Sequence, residues 1–168
     1  MNFNEMLLAG SENYPQNIFL RYEEESYTYA DMWKITNSLA NGLLKKGIKK
    51  GDHVAVILSN QPEFIWSWFA LAKIGAITVT IDTRLKGSLL FHQIKNSESM
   101  AIITEDNFLP AILDMDLNKG LGIDLLIIVS DNEVSENERK VIPFNSLLFE
   151  SEVDPGSIEY TLQPGWPL

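Results

Sequence analysis

The sequence predicts an α/β fold built on a mainly parallel, doubly wound sheet flanked by helices. Three observations lead there. Short runs rich in Ile and Val alternate with longer amphipathic stretches along the 168 residues. The runs are continuously apolar rather than alternating, as strands covered on both faces are. The stretches between them are long enough for the helical crossovers that parallel neighbours require, which are right-handed in nearly every known case.

The elements follow in order. Ile18–Tyr22 and Ser26–Tyr29 read as two short strands around the acidic turn Glu23-Glu24-Glu25. Thr28 is placed to cap a long helix, with Asp31 as the capping-box acid. Ile35, Leu39 and Leu43, with Met32 and Ala40 beside them, give that helix one apolar stripe. Lys45 and Lys46 suit its last turn and Gly47 its end. The main strands are His53–Leu58, Ala76–Ile81, Met100–Thr104 and Leu125–Val129. A second helix starts after Asn60, a competent N-cap, with Pro62 near its first position and Glu63 in its first turn. Its body, Phe64-Ile65-Trp66-Ser67-Trp68-Phe69-Ala70-Leu71-Ala72, is apolar nearly all round, which demands burial on more than one side. Further helices are expected over Lys86–Asn96 and Leu109–Leu117, with Pro110 tolerated only in the first turn. Val141–Phe149 reads as a short strand and a short helix, and Ser157–Thr161 as a last strand.

Composition narrows function. A net charge of −10 leaves no Lys/Arg excess to displace counterions from phosphates, so nonspecific nucleic-acid binding is excluded. No apolar run approaches the about 20 residues of a bilayer span, and the first residues lack the basic and apolar regions of a signal peptide. The absence of cysteine removes disulfides and thiolate chemistry and fits a cytoplasmic protein. The acidic clusters at 23–25 and 131–138 read as exposed loops.

Familiar catalytic devices are missing. His53 and His92 have no nucleophile or metal-ligand partner nearby in sequence and read as structural or surface residues. No zinc spacing occurs, and neither GxGxxG nor GxxxxGK[ST] is present. Lys119-Gly120-Leu121-Gly122 follows a helix and so reads as its C-terminal cap and turn. Acidic pairs such as Asp114/Asp116 and Asp131/Glu133 read as solvated loops, and the aromatic run Phe64–Phe69 as core or interface. The reading therefore assigns no catalytic, cofactor-binding or metal-binding residue.

Taken together, the pieces resemble a family pattern. Tyr27-Thr28-Tyr29-Ala30-Asp31 is similar to a "TYAEL" helix start, and Asn37–Leu43 to "AN-x-LA-x-x-L". Gly47–Val56, with Gly51-Asp52 at its centre, is similar to "GV-x-x-GD-x-VAI". Asn60-Gln61-Pro62-Glu63-Phe64 resembles "N-x-PEF", and Leu71-Ala72-Lys73-Ile74-Gly75-Ala76 resembles "LAxxKxGA". Ile81-Asp82-Thr83-Arg84-Leu85 stands where the family has "PLNPRL", with Thr80 and Asp82 in place of its Pro and Asn. Asp154–Thr161 resembles "DPAxIxYT", the strand that leads to a phosphate loop. The matches run in order over nearly the whole chain. The chain is identified as resembling the opening part of the adenylate-forming acyl- and aryl-CoA synthetases, peptide-synthetase adenylation domains and luciferases, with medium- or long-chain fatty acyl-CoA synthetases the preferred style.

The resemblance implies a parent reaction in which a carboxylate, ATP, Mg and CoA give acyl-CoA, AMP and pyrophosphate. Its matching positions (Thr28, Tyr29, Gly51, Asp52, Pro62, Glu63, Lys73, Gly75 and Asp82) are expected to be structural. The family continues with a Ser-Gly-Thr-Thr-Gly phosphate loop, whereas residues 162–168 read Leu-Gln-Pro-Gly-Trp-Pro-Leu. We therefore expect residues 1–161 to form the N-terminal α/β subdomain and 162–168 a tail foreign to the family, from truncation or a frameshift near Thr161. On this reading the 168 residues are inactive and bind none of ATP, Mg and CoA. A homodimer through exposed apolar surface around Phe64–Phe69 is the expected relief. The rival readings are a non-catalytic binding or regulatory module on the same scaffold, and a flavodoxin-like or receiver-like domain. The second requires acidic residues at strand C-termini near the sheet's start, which His53–Ser59 does not supply.

Overall fold

A computed structural model describes residues 3–130, 132 and 141–149. The expected strand at Ser157–Thr161, most of the acidic stretch 131–138 and the tail 162–168 lie outside them. The chain runs α1 (Phe3–Asn13), β1 (Ile18–Tyr22), β2 (Glu25–Thr28), α2 (Tyr29–Lys45), β3 (His53–Ile57), α3 (Pro62–Lys73) and β4 (Ile77–Thr80). It continues with α4 (Gly87–Asn96), β5 (Ala101–Glu105), α5 (Leu109–Lys119), β6 (Leu125–Val129), β7 (Val141–Pro143) and a 3₁₀ turn over Phe144–Phe149. β1 and β2 form an antiparallel hairpin. The other strands form a parallel five-stranded sheet in the order β4-β3-β5-β6-β7. The predicted fold class holds, and strand order reverses between β3 and β5.

The central strands of the sheet are mostly apolar because alternate side chains enter two separate cores. Val54, Val56, Ala101, Ile103, Leu125, Ile127 and Ile142 face a layer made by α1, α2, α3, the hairpin and the 3₁₀ turn. Ala55, Ile57, Ile102, Leu126, Ile128 and Val141 face α4 and α5, through Leu90, Ile94, Ile112 and Met115. Burying both faces of a parallel sheet in this way is the usual solution.

The start of α2 is fixed locally. The Thr28 backbone N–H and hydroxyl donate to Asp31 Oδ2 at 2.9 and 2.7 Å, and Asp31 N–H donates to Thr28 Oγ1 at 3.1 Å. The Thr28 hydroxyl, then its N–H, hold the Asp31 carboxyl below its usual pKa. Two details differ from expectation. The cap of α3 is Gln61, not Asn60, because Pro62 takes the first helical position. Residues 3–13, for which no element was read, form α1, whose Leu7 is fully buried.

α1 and the hairpin change the fate of the aromatic run on α3. Trp66 and Phe69 are 7% and 5% exposed, and only Trp68, at 41%, opens to solvent. Phe19 meets Phe69, Tyr27 meets Trp66, and Phe3 stacks beside Trp68 at 5.3 Å between ring centroids. The broad exposed patch expected at Phe64–Phe69 is thus mostly covered, from within the chain.

α2 is buried without a break from Thr36 to Leu43, since α1, α3 and the 3₁₀ turn enclose it. Lys73, in the last turn of α3, is 2% exposed within this layer. Its Nζ donates to Asn37 Oδ1 at 2.5 Å and lies 3.5 Å from the centroid of the Trp33 ring. Desolvation pushes its pKa from 10.5 down to about 7. Between those pH values the unfolded chain carries a proton that the folded chain lacks. Stability therefore rises with pH across that window and is flat below it. Lys73→Met should abolish that slope, worth on the order of 2–4 kcal/mol between pH 7 and 10, in urea unfolding at a series of pH values; an unchanged slope would remove Lys73 as its source.

Gly42 is where the 3₁₀ turn approaches α2 most tightly: a Cβ there would lie 2.7 Å from Leu147 O and 3.0 Å from Leu147 Cα. Gly42→Ala gains about 1 kcal/mol of helix propensity but overpacks backbone at a cost of about 1–3 kcal/mol. A lower thermal midpoint is expected, and a higher one would show that the turn gives way freely.

Candidate functional site

In an open α/β sheet the strand C-termini face a crevice where strand order reverses, the default place for a ligand. Here that crevice lies between β3 and β5. The residues leaving β3, Leu58–Glu63, and those ending β5, Thr104–Phe108, contain no glycine, lysine or arginine. Glu105 spans the gap. Its Oε1 accepts from Ser59 Oγ at 2.7 Å, and its Oε2 accepts from Gln61 Nε2 at 3.2 Å and Ser59 N–H at 3.5 Å. Deeper in, the Thr104 hydroxyl donates to Ile57 O at 3.1 Å.

This arrangement decides the electrostatics at the start of α3. A helix N-terminus would otherwise attract an anion. The side chain of Gln61 makes no cap bond to α3 and turns to Glu105 instead. Glu105 and Glu63 thus put carboxylates beside the positive end of the helix. Polar residues continue along the edge on either side. Beyond β4, Asp82 is paired with Arg84 at 2.6 Å, and Arg84 lowers the Asp82 pKa to about 2. Beyond β5 and β6, Ser130 Oγ and Asn132 Nδ2 donate to Asp106 Oδ2 at 2.7 and 3.3 Å. A nucleotide phosphate needs glycine-rich backbone amides and a cation. The residues at this crevice do not fit one.

The family-pattern positions fall into separate places. Thr28 and Tyr29 start α2 on the hairpin side. Gly51, Asp52, Lys73 and Gly75 gather toward the opposite, N-terminal edge of the sheet. There Gly51 N–H donates to Gly75 O at 2.9 Å, and Asp52 Oδ2 accepts from Lys49 N–H at 2.7 Å. Only Pro62, Glu63 and Asp82 stand on the C-terminal edge. His53 is half-buried and its Nδ1 contacts Ser97 O at 2.6 Å, a structural bond, while His92 is exposed. Gly120 closes α5 in the left-handed region at φ 63°, as its place after a helix implied. Among the described residues no group of three or more His, Asp or Glu is set to hold a metal.

The sequence reading missed Ser59, Gln61, Glu105, Asp106 and Ser130. It sought acidic residues at the end of β3, whereas they end β5. The available signal was the last residue of each strand, combined with the reversal expected of a doubly wound sheet.

Comparisons with known proteins bear on the fold and the family. 4-Coumarate–CoA ligase 3 of Arabidopsis thaliana is 34% identical over 131 residues, covering 78% of this chain and 22% of that protein. Long-chain fatty acid transport protein 6 of Mus musculus is 35% identical over 106 residues, 62% of this chain and 17% of that protein. The chain thus spans about a fifth of the length of these relatives. The crystal structure of coronafacic acid ligase from Pectobacterium brasiliense superposes with a TM-score of 0.79 at 19% identity, over 88% of this chain and 29% of the ligase, a likeness of fold. The profile described as "AMP-binding enzyme" matches residues 8–158. The chain belongs to the AMP-binding enzyme family.

Proposed function

We propose that these residues form the N-terminal lobe of an acid–CoA ligase. Such an enzyme activates a carboxylate with ATP and magnesium and passes the acyl group to CoA. The observation that carries the reading is the family match over residues 8–158, supported by a parallel sheet whose order and two-sided packing suit a lobe of a larger body. Within it, residues 1–161 are the lobe and 162–168 a tail foreign to the family. A medium- or long-chain fatty acid is the proposed carboxylate. The name of the mouse relative supports this, and that of the plant relative points instead to an aromatic acid. A cytoplasmic location belongs to the same reading. Among the described residues no helix is long and apolar enough to cross a membrane.

The lobe alone contributes structure rather than chemistry. The crevice at the strand C-termini presents Glu105 where a phosphate would need cations and backbone amides. We therefore expect no acyl-adenylate formation by the 168-residue chain.

Two measurements test this reading. Incubation with ATP, magnesium, CoA and a panel of fatty and aromatic acids should release no pyrophosphate above the protein-free rate, and carboxylate-dependent release would contradict the inactive lobe. The DNA beyond the codon for Thr161 should encode a glycine-rich phosphate loop followed by ligase sequence in one of its frames; its absence from every frame would count against the parent enzyme.

A further inference from the structure

We propose that α1 is a hinged cover. It opens as a unit while the sheet and the other helices stay folded, and so governs access to an aromatic floor made by Tyr29 and Phe69. This goes beyond the ligase reading and stands whether or not the parent enzyme is a ligase. Association through residues 64–69, expected from the sequence, then competes with α1.

α1 packs on α2 and α3 through a thin face. Its buried residues are Asn4, Leu7 and Gly10, so Leu7 is the one apolar side chain it buries fully. Asn4 brings a cost. Its Oδ1 is buried without a hydrogen-bond partner among the described residues, which weakens the closed state by about tenfold. Phe3 and Leu8 stay partly open to solvent, and Gly10 and Asn13 are poor helix formers. α3, of similar length, buries Trp66, Phe69, Ala70 and Leu71 among others. An element with so few buried apolar contacts opens at a lower free energy than the core.

The hinge lies at Tyr14. Beyond it the chain is pinned to the start of α2: Tyr29 N–H donates to Asn17 O at 3.0 Å and Ala30 N–H to Pro15 O at 3.1 Å. Before it the helix closes on itself, with Tyr14 N–H donating to Gly10 O at 2.8 Å. Among the described residues no backbone hydrogen bond joins α1 to another element. α1 can therefore swing away at one exposed residue and leave the β1–β2 ladder whole.

The floor is held without α1. Phe19 on β1 meets the Tyr29 ring at 5.1 Å and the Phe69 ring at 5.7 Å between centroids, both edge to face. α1 adds to these same rings. Phe3 reaches Phe69 at 6.3 Å, and a Cβ at position 10 would lie 2.2 Å from Tyr29 Cδ1. Only glycine lets the helix lie this close to the ring, so closure depends on one missing methyl. When α1 leaves, Tyr29 and Phe69 keep Phe19 and gain solvent, and a partner on this face has to displace the helix.

Native-state amide exchange of the 168-residue chain at rising urea, read residue by residue by NMR, tests this. Amides of residues 7–14 should exchange together, about a hundredfold or more faster than those of 54–57. Their opening should depend less on urea than global unfolding does, because it exposes less surface. Gly10→Val should drive the cover open. The α1 amides then approach free-peptide exchange rates and the Trp68 indole resonance moves, while residues 54–57 stay protected. Asn4→Leu, which removes the unpaired oxygen, should slow α1 exchange by about tenfold; unchanged exchange there would contradict the proposal. It is overturned outright if α1 amides of the unaltered chain exchange only in step with residues 54–57, or if Gly10→Val unfolds the sheet together with the helix.

Discussion

A parallel sheet must be covered on both faces, and the rest of this structure follows from how that is done. β3 is the pivot. Val54 and Val56 serve one core, and Ala55 and Ile57 the other, all nearly or wholly without solvent contact. Chain order then fixes the layout. α3 returns on the α2 face to place β4 on one side, and α4 returns on the other face to place β5 opposite. The reversal between β3 and β5 is a consequence of that choice, and so is the position of the polar crevice.

The layer on the α2 face is the unusual part. α2 carries Thr36, Asn37, Ser38 and Asn41 into a buried position, and α3 brings the amine of Lys73 to meet it. Burying an amine against one amide oxygen and an indole face is costly unless its charge is relinquished easily. The resulting polar seam ties α2 to α3 in one register. That accounts for a lysine at this place in a family pattern without asking chemistry of it.

Much of this was legible in the sequence, for local reasons. Leu125–Val129 and its fellow strands announce themselves by apolar runs, and the Thr28–Asp31 cap by spacing alone. Pro62 fixed the start of α3 to within one residue, although the cap fell on Gln61. What was not legible depends on distant partners. α1 has a broken pattern, with Gly10, Ser11 and Asn13 in its second half, and it is held by contacts such as Gly10 against the Tyr29 ring. That contact joins residues far apart in sequence, so no local window contains it. Covering of the α3 aromatics by Phe3, Phe19 and Tyr27 has the same origin. The crevice is a stronger case. Ser59, Gln61 and Glu105 become neighbours only once β5 is known to lie beside β3, more than forty residues away along the chain.

The central claim is that the strand-reversal crevice, the natural ligand position of such a sheet, is spanned here by the Glu105 carboxylate, and we propose that this leaves it unsuited to a nucleotide phosphate. The most direct measurement is an amide NMR titration of the chain with Mg-ATP. The account predicts that the Ser59, Gln61, Glu105 and Asp106 resonances stay in place up to millimolar nucleotide. Saturable shifts confined to those residues would contradict it.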